Sequence, residues 1–188
     1  MSNQITIKKE NILNAYNQAS GNLKSLLENM FGREMFQPKD IKERVKTFAD
    51  AVEILGNDNQ AVIDYYAVAD KTCAEDILAF AKLRVIAEAL NEGWKPTFRK
   101  DYRYYPWFNI YSKEEFDNLD KYYRKRCRVV GRGGNGANAY YGLVCASAYY
   151  ASSYSNTNCG SRLAFKTKEL AKYCGEQFID IWVDFLFA

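Results

Sequence analysis

The residues that could do chemistry in this chain are limited first by the absence of histidine from all 188 positions. Without an imidazole there is no Ser-His-Asp or Cys-His nucleophile pair and no histidine-based zinc site. The carboxylates near aromatic residues show no spacing that would bring two of them together for glycoside hydrolysis. These carboxylates are Asp101, Asp117, Asp120 and Glu176. We therefore expect a protein that is not an enzyme, with no catalytic residue and no cofactor.

The cysteines are the other side chains that could act as nucleophiles or metal ligands. There are five: Cys73, Cys127, Cys145, Cys159 and Cys174. Their number is odd and no two of them form a C-x-x-C pair, so a zinc site would need four scattered thiolates. We expect no disulfide and no metal, and instead buried, inert thiols in a reducing compartment.

A glycine-rich stretch at 131–136 is a candidate phosphate-binding loop. Neither a Gly-Lys-Ser/Thr sequence nor a helical pattern follows it, although phosphate loops have both. Glycines between two strands more often form a wide hairpin or allow close backbone approach. The residues expected to shape this loop are Gly131, Gly133, Gly134 and Gly136.

A basic cluster lies just before the glycine loop, with Tyr122 and Tyr123 inside it. Its members are Lys121, Arg124, Lys125, Arg126, Arg128 and Arg132. Cationic residues interleaved with aromatic ones suit single-stranded nucleic acid, because they neutralise phosphates and stack on bases. A solvated charged face and a site for an acidic protein partner are the alternatives, since four acidic residues precede the cluster at 114–120.

The segment 138–158 has an unusual composition. It consists almost wholly of Ala, Tyr, Ser, Asn, Cys, Thr and Gly, whereas a core strand would carry more Val, Ile and Leu. Tyrosine, serine and asparagine are typical of binding loops, where tyrosine gives contact area and the others give adaptable hydrogen bonds. The alternative is a hairpin of small residues whose tyrosines cover the edge of the core.

Four motifs follow one another along residues 40–188. They are Leu-Asn-Glu-Gly-Trp-Lys-Pro at 90–96, Tyr-Tyr-Pro-Trp-Phe at 104–108, Gly-Ser-Arg-Leu-Ala-Phe-Lys at 160–166, and a helical pattern from 169 to 185. In this order they resemble an uncharacterised protein family found in phages and mobile elements of gut bacteria. The resemblance implies a phage-type origin and assigns no activity.

A second resemblance covers residues 129–165. Gly-Arg-Gly-Gly at 131–134, Asn-Gly-Ala-Asn-Ala at 135–139 and the run from Ser155 to Arg162 are similar to the end of C-type lectin-like domains, including the variable proteins of diversity-generating retroelements. The resemblance implies that the ligand is bound by the strand and loop before Arg162, and that Arg162 braces the sheet. By position, the ligand-binding residues would be Tyr140, Tyr141, Ser147, Tyr149, Tyr150, Ser152 and Tyr154.

The elements that must position these residues begin with helices. An apolar stripe between Ile12 and Met30 predicts a helical arm over 1–38, broken in two near Gly21, that packs on its own domain or serves in docking or oligomerisation. A second helix is expected from Asp40 to Leu55, and a short one over 60–68. A capping box at Thr72 predicts a long helix to residue 90 that is apolar nearly all round and therefore central.

After Gly93 the pattern changes to strands. An aromatic run ending at Tyr111 predicts a strand, and Pro106 within it predicts an edge position. A capping box at Ser112 predicts a helix to about residue 122. Further strands are expected at 126–130, 140–150 and 161–165, and a single C-terminal helix after Thr167. The predicted fold is α+β: a helical N-terminal half, then a small antiparallel sheet and a C-terminal helix, with residues 39–188 forming one domain.

The expected function is non-enzymatic binding of a protein or glycan ligand through the tyrosine-rich segment. The alternatives are a virion structural protein that docks on other virion proteins through its N-terminal helices, and a single-stranded nucleic-acid binder. No apolar run reaches membrane-spanning length, so no membrane partner is expected, and homo-oligomers are compatible with the arm. We expect synthesis in the bacterial cytoplasm and, for a virion component, association with the particle.

Overall fold

The structure, a computed structural model, describes residues 6–71, 74–97, 102–131, 140–152 and 161–188. For 129–131, 140–152 and 161 the description covers the backbone. The chain divides into two compact units, Met1–Arg44 and Val45–Ala188. None of the helices in the described ranges is both long and apolar enough to span a membrane.

The first unit is a helical hairpin with a short extension. It comprises α1 (Lys9–Gln18), α2 (Asn22–Phe31), a 3-10 turn (Arg33–Met35) and α3 (Ile41–Arg44). The break predicted near Gly21 is confirmed, because this residue has a φ of 50°, which side chains other than glycine rarely adopt. The ring of Tyr16 stacks on Phe36 at 4.0 Å. Its hydroxyl donates to Glu28 at 2.5 Å, and this hydrogen bond raises the pKa of Tyr16.

The single helix predicted after Asp40 is wrong. The chain leaves helical geometry at Val45 and re-enters it in α4 (Phe48–Leu55), where Thr47 is the N-cap. Thr47 and Asp50 form a capping box, with hydrogen bonds of 3.2 and 2.8 Å. Although burial alone would raise the pKa of Asp50, the N–H groups of Lys46 and Thr47 hold it below its ordinary value.

The central helix of the second unit is confirmed. Helix α6 (Glu75–Asn91) packs against α4 and α5 (Gln60–Ala69), and Leu83, Val85 and Ile86 on it are fully buried. It begins later than predicted, with Ala74 as N-cap, and Thr72 lies outside the described residues.

A three-stranded antiparallel sheet follows, which confirms the α+β fold class. Its strands are β1 (Tyr102–Tyr111), β2 (Arg128–Gly131) and β3 (Tyr140–Ser152), in the order β1-β3-β2. The edge position expected from Pro106 is therefore confirmed. The register shifts between Trp107 and Phe108, where Ala146 is an extra residue on β3.

Two short helices link β1 to β2, where one helix to about residue 122 was predicted. The capping box at Ser112 is present and opens α7 (Lys113–Asn118). That helix ends at Leu119, and Asp120 caps the separate helix α8 (Lys121–Arg126). The backbone of Leu119 is extended, which ends the first helix, and the side chain of Asp120 accepts from the N–H groups of Tyr122 and Tyr123, which starts the second.

The C-terminal region departs from prediction in two ways. Residues Ser161–Leu163 form a 3-10 turn, and of the predicted strand Phe165 alone pairs, opposite Tyr104. The predicted single helix consists of α9 (Lys168–Gln177) and α10 (Ile179–Phe187), separated at Phe178, whose φ and ψ of −111° and 30° are not helical. The predicted Thr167 cap is confirmed, since its side chain accepts from the N–H of Leu170 at 3.2 Å.

An aromatic cluster joins the helices to the sheet. Trp182 of α10 lies 5.3 Å from Phe108 of β1 and 5.9 Å from Phe185, measured between ring centroids. Phe80 of α6 lies 5.9 Å from Phe185. Helix α9 packs across β1 and β3, so one face of the sheet is covered.

Candidate recognition surface

The tyrosine-rich segment forms the central strand of the sheet. The register pairs β3 with β1 on one side, placing Tyr150 opposite Tyr104 and Ser152 opposite Tyr102. On the other side β2 pairs with the start of β3, and Gly131 is opposite Tyr140. Residues 140–143 of β3 are therefore paired along both edges, whereas Tyr150 and Ser152 are paired with β1 alone.

The side chains of β1 show which face of the sheet is open. Arg103 and Tyr105 are 4% and 2% exposed, whereas Tyr102 is 55% exposed and Tyr104 is half-buried. Over residues 102–105 this alternation is that of a strand with one covered face. Further along β1 it does not continue, because Trp107 is exposed and Phe108 packs on Trp182 of α10. The rings of Tyr102 and Tyr104 are neighbours on the open face, with centroids 6.5 Å apart. We call the strand positions Tyr102, Tyr104, Tyr150 and Ser152 the tyrosine surface.

Six of the seven predicted ligand-binding residues are strand positions whose partners the register gives. Tyr140, Tyr141, Ser147, Tyr149, Tyr150 and Ser152 are positions of β3, described by backbone, and Tyr154 lies outside the described residues. Opposite positions of an antiparallel pair share a face. Tyr150 therefore shares the face of Tyr104, and Tyr149 shares the face of buried Tyr105. Of the loop-shaping glycines, Gly131 ends β2, while Gly133, Gly134 and Gly136 lie outside the described residues.

The sequence analysis missed the contribution of β1. The sequence analysis interprets Tyr102 and Tyr104 as strand-forming residues, and no sequence signal identifies them as surface residues, because the charged Arg103 between them is the buried position. The expectation that Arg162 braces the sheet is wrong, because Arg162 is exposed on the 3-10 turn. The buried arginine is Arg103, whose guanidinium donates to the carbonyl of Thr97.

The basic cluster is tied to the C-terminal helices rather than to the acidic residues that precede it. Arg126 donates to Glu176 at 2.8 Å, and Arg128 is ion-paired with Asp180. The hydrogen bond to Glu176 raises the pKa of Arg126, which also lies over the ring of Tyr122, 5.5 Å from its centroid. Two of the cluster's charges are therefore neutralised within the second unit.

The remaining basic residues form a smaller exposed group. Arg124 donates its Nε to the carbonyl of Leu119 at 2.7 Å and so caps the end of α7. Lys121 and Lys125 have no ion-pair partner among the described residues, and Tyr122 beside them is 65% exposed. Arg132 lies outside the described residues. This leaves a short patch of cations and tyrosine on α8.

Thiol and metal chemistry find no support in the described part of the chain. Burial raises the pKa of Cys127, so its thiol stays protonated and weakly nucleophilic at neutral pH. Cys174 is buried in α9, and Cys73, Cys145 and Cys159 lie where no side chain is described. No group of three His, Cys, Asp or Glu residues in the described ranges could hold a metal ion.

The function of this chain has to be inferred from its own residues and their geometry, because comparison with known proteins gives no match. No protein-family model, curated protein or solved structure matches this chain.

Proposed function

We propose that this chain is a non-enzymatic binding protein of phage or mobile-element origin, which recognises a glycan or polypeptide through the tyrosine surface. The observation that carries the proposal is the open face of β1. There Tyr102 is 55% exposed and stands beside Tyr104, directly opposite the tyrosine-rich strand β3.

The energetics of tyrosine favour binding at this position. A tyrosine has two side-chain torsions, so it offers a large contact area at a low entropic cost when a ligand immobilises it. Its hydroxyl supplies a hydrogen bond at the rim of an apolar contact, which suits both sugars and peptides. Tyr102 and Tyr104 stand on a strand that is paired with β3, so the backbone that carries them is held in place before the ligand arrives.

The sequence that follows the tyrosine-rich strand has a composition that fits the same role. Serine at 152 and 153 and asparagine at 156 and 158 supply donors and acceptors that adapt to different ligands. The lectin-like resemblance of residues 129–165 implies variable ligand contacts on this strand and so supports the proposal.

The test uses a glycan array and a displayed random-peptide library as probes of the full chain. Against whichever probe binds, Tyr102→Ala and Tyr150→Ala should each weaken binding by about 10- to 30-fold, the loss typical of a hot-spot tyrosine. The matched control is Tyr66→Ala on α5, which removes a tyrosine of similar exposure away from the sheet. Binding that is unchanged in both surface variants would exclude the tyrosine surface.

A second function, docking into a virion assembly, is favoured by the arm. Leu23, Leu26 and Met30 lie on one face of α2, at i, i+3 and i+7, and Met30 is 64% exposed. An exposed apolar stripe of this kind marks an interaction site in many soluble proteins. Leu26→Lys should then abolish incorporation into particles while leaving binding to the glycan or peptide probe intact.

A further inference from the structure

Helix α8 carries a line of lysines beside a line that contains an exposed tyrosine. Lys121 and Lys125 are four residues apart, as are Tyr122 and Arg126, so each pair lies on one line along the helix. The two lines are neighbours around the helix, because their members are consecutive in the chain. Tyr122 is 65% exposed and Tyr123 is 46% exposed, so the aromatic part of this surface is in contact with solvent.

Two contacts restrict the ring of Tyr122. The guanidinium of Arg126 lies over it, 5.5 Å from the ring centroid, and donates to Glu176 at 2.8 Å. Tyr123 meets the same ring edge to face, with the centroids 5.5 Å apart. The exposed part of Tyr122 is therefore oriented before any ligand binds, which lowers the entropic cost of stacking on it.

The charge beside this ring remains positive after its ion pairs are taken into account. Glu176 is shared, because its Oε1 lies 2.8 Å from Arg126 and 3.8 Å from Nζ of Lys172 on α9. One carboxylate therefore faces two cations at this point. Three further cations on α8 have no ion-pair partner in the part of the chain that the structure describes, and these are Lys121, Arg124 and Lys125.

The acidic residues that precede α8 do not neutralise these three cations. Asp120 accepts from the N–H groups of Tyr122 and Tyr123 as the cap of α8, at 2.7 and 3.0 Å. Glu115 accepts from the N–H of Ser112 at 2.8 Å as part of the cap of α7. We call the five α8 positions Lys121, Tyr122, Arg124, Lys125 and Arg126 the α8 surface.

We propose that the α8 surface binds single-stranded nucleic acid, with the lysine line on successive phosphates and Tyr122 stacked against a base. Cations alone suit any anion, whereas an exposed aromatic ring beside them suits a strand that presents both phosphates and base faces. An acidic polypeptide offers carboxylates without a base to stack, and a duplex keeps its base faces inside its own stack. The α8 surface and the tyrosine surface share no residue, so the two proposals are independent.

The size of the α8 surface determines the character of this binding. Six helical residues span about 9 Å, which is the length of about three phosphates along one strand. Three phosphate contacts predict that the logarithm of the affinity falls with the logarithm of the salt concentration with a slope of about −2. Every base has an aromatic face, so stacking on Tyr122 should tolerate any sequence.

Fluorescence anisotropy of dye-labelled oligothymidylate and oligouridylate, each about 12 nucleotides long, tests the proposal with the full chain. The wild-type affinity should fall by roughly 20-fold between about 50 and 200 mM salt. Binding to either strand supports the proposal, and the tighter of the two identifies DNA or RNA as its source. A duplex of the same length should bind more weakly than the single strand.

The lysine line is tested by its effect on the salt dependence. Lys121→Gln combined with Lys125→Gln removes two phosphate contacts and should reduce the slope to about −0.7. The matched control is Lys8→Gln combined with Lys9→Gln, which removes the same charge from two exposed lysines of the first unit. This control should leave the slope unchanged.

The stacking contact is tested at Tyr122. Tyr122→Ala should weaken binding by about fivefold or more at an unchanged slope, because it removes a base-stacking ring and no charge. Tyr122→Phe keeps the ring and should bind like the wild type. The control Tyr66→Ala removes a tyrosine of α5 that is 49% exposed and should have no effect.

Four results would overturn the proposal. These are no salt-dependent binding of either strand, an unchanged slope in the double lysine variant, equal losses in Tyr122→Ala and Tyr122→Phe, and duplex binding as tight as that of the single strand. Competition by polyglutamate as effective as that by unlabelled oligonucleotide would instead assign the α8 surface to an acidic protein. Tyr102→Ala should leave oligonucleotide binding intact, so failure of the tyrosine surface is distinguishable from failure of this site.

Discussion

Replacing Asn91 should destabilise the second unit more than any exposed polar substitution. Asn91 ends α6, is buried, and clamps the segment that leads into α9. Its Nδ2 donates to the carbonyl of Ala164 at 2.8 Å, and its Oδ1 accepts from the N–H of Lys166 at 3.0 Å. Asn91→Ala removes both hydrogen bonds and leaves two main-chain groups without partners.

The magnitude follows from where those two groups lie. The carbonyl belongs to Ala164, which is buried, so losing the hydrogen bond to it leaves this group with most of the desolvation penalty of an unsatisfied buried acceptor. Lys166 is half-buried, and water can replace part of its hydrogen bond. Together we expect a loss of about 2–4 kcal/mol in the free energy of unfolding, a large share of the roughly 5–15 kcal/mol of a typical domain.

Urea unfolding followed by far-UV circular dichroism and tryptophan fluorescence measures this loss. A slope of about 2 kcal/mol/M, the middle of the range usual for urea, converts it into a fall of the midpoint by roughly 1–2 M. The control is Asn118→Ala, at the exposed end of α7, which should change stability by less than about 0.5 kcal/mol. Equal midpoints for the two variants would refute the clamp.

Three further predictions concern the cap, the ion pair and the strand register. Because the pKa of Asp50 is lowered in the folded state, Asp50 stabilises the fold above its unfolded pKa, and this stabilisation is lost as the pH falls below about 4. In Asp50→Asn the urea midpoint should therefore fall less steeply with decreasing pH than in the wild type. A double-mutant cycle on Arg126 and Glu176 should give a coupling below about 1 kcal/mol that shrinks with added salt, and a larger, salt-insensitive coupling would contradict a surface pair. By register, Tyr149→Ala should cost about 3–5 kcal/mol in thermal melts and Tyr150→Ala less than about 0.5 kcal/mol, whereas equal losses would show that β3 does not alternate between a core and an open face.

Local signals allowed much of the fold to be predicted from the sequence. The Ser112 capping box and the Thr167 cap use atoms three residues apart, so they form whatever the rest of the chain does. Pro106 predicted an edge strand because it has no N–H to donate, and β1 is at the edge. The apolar residues of α6 predicted a central helix because so wide an apolar surface must be covered on every side.

The break between α3 and α4 depends on tertiary structure. The apolar spacing across 41–55 favours one helix, and Thr47 with Asp50 favours a new start, so the local signals compete. Helix α9 decides between them. Its Tyr173 hydroxyl donates to the carbonyl of Val45 at 2.7 Å, and Gln177 donates to the carbonyl of Lys46 at 2.9 Å. These side chains satisfy carbonyls that a continuous helix would have bonded itself.

Tertiary structure also determines which residues of the tyrosine surface and of the basic cluster remain exposed. Composition indicated that the segment around β3 could bind, but the register with β1 places Tyr150 and Tyr149 on different faces and adds Tyr102 to the surface. The basic residues were visible in the sequence, whereas the partner of Arg126, Glu176, lies 50 positions further along the chain. Composition and short-range spacing report which groups are present, and long-range pairing determines which of them remain exposed, because burial and neutralisation come from residues that are distant in the chain.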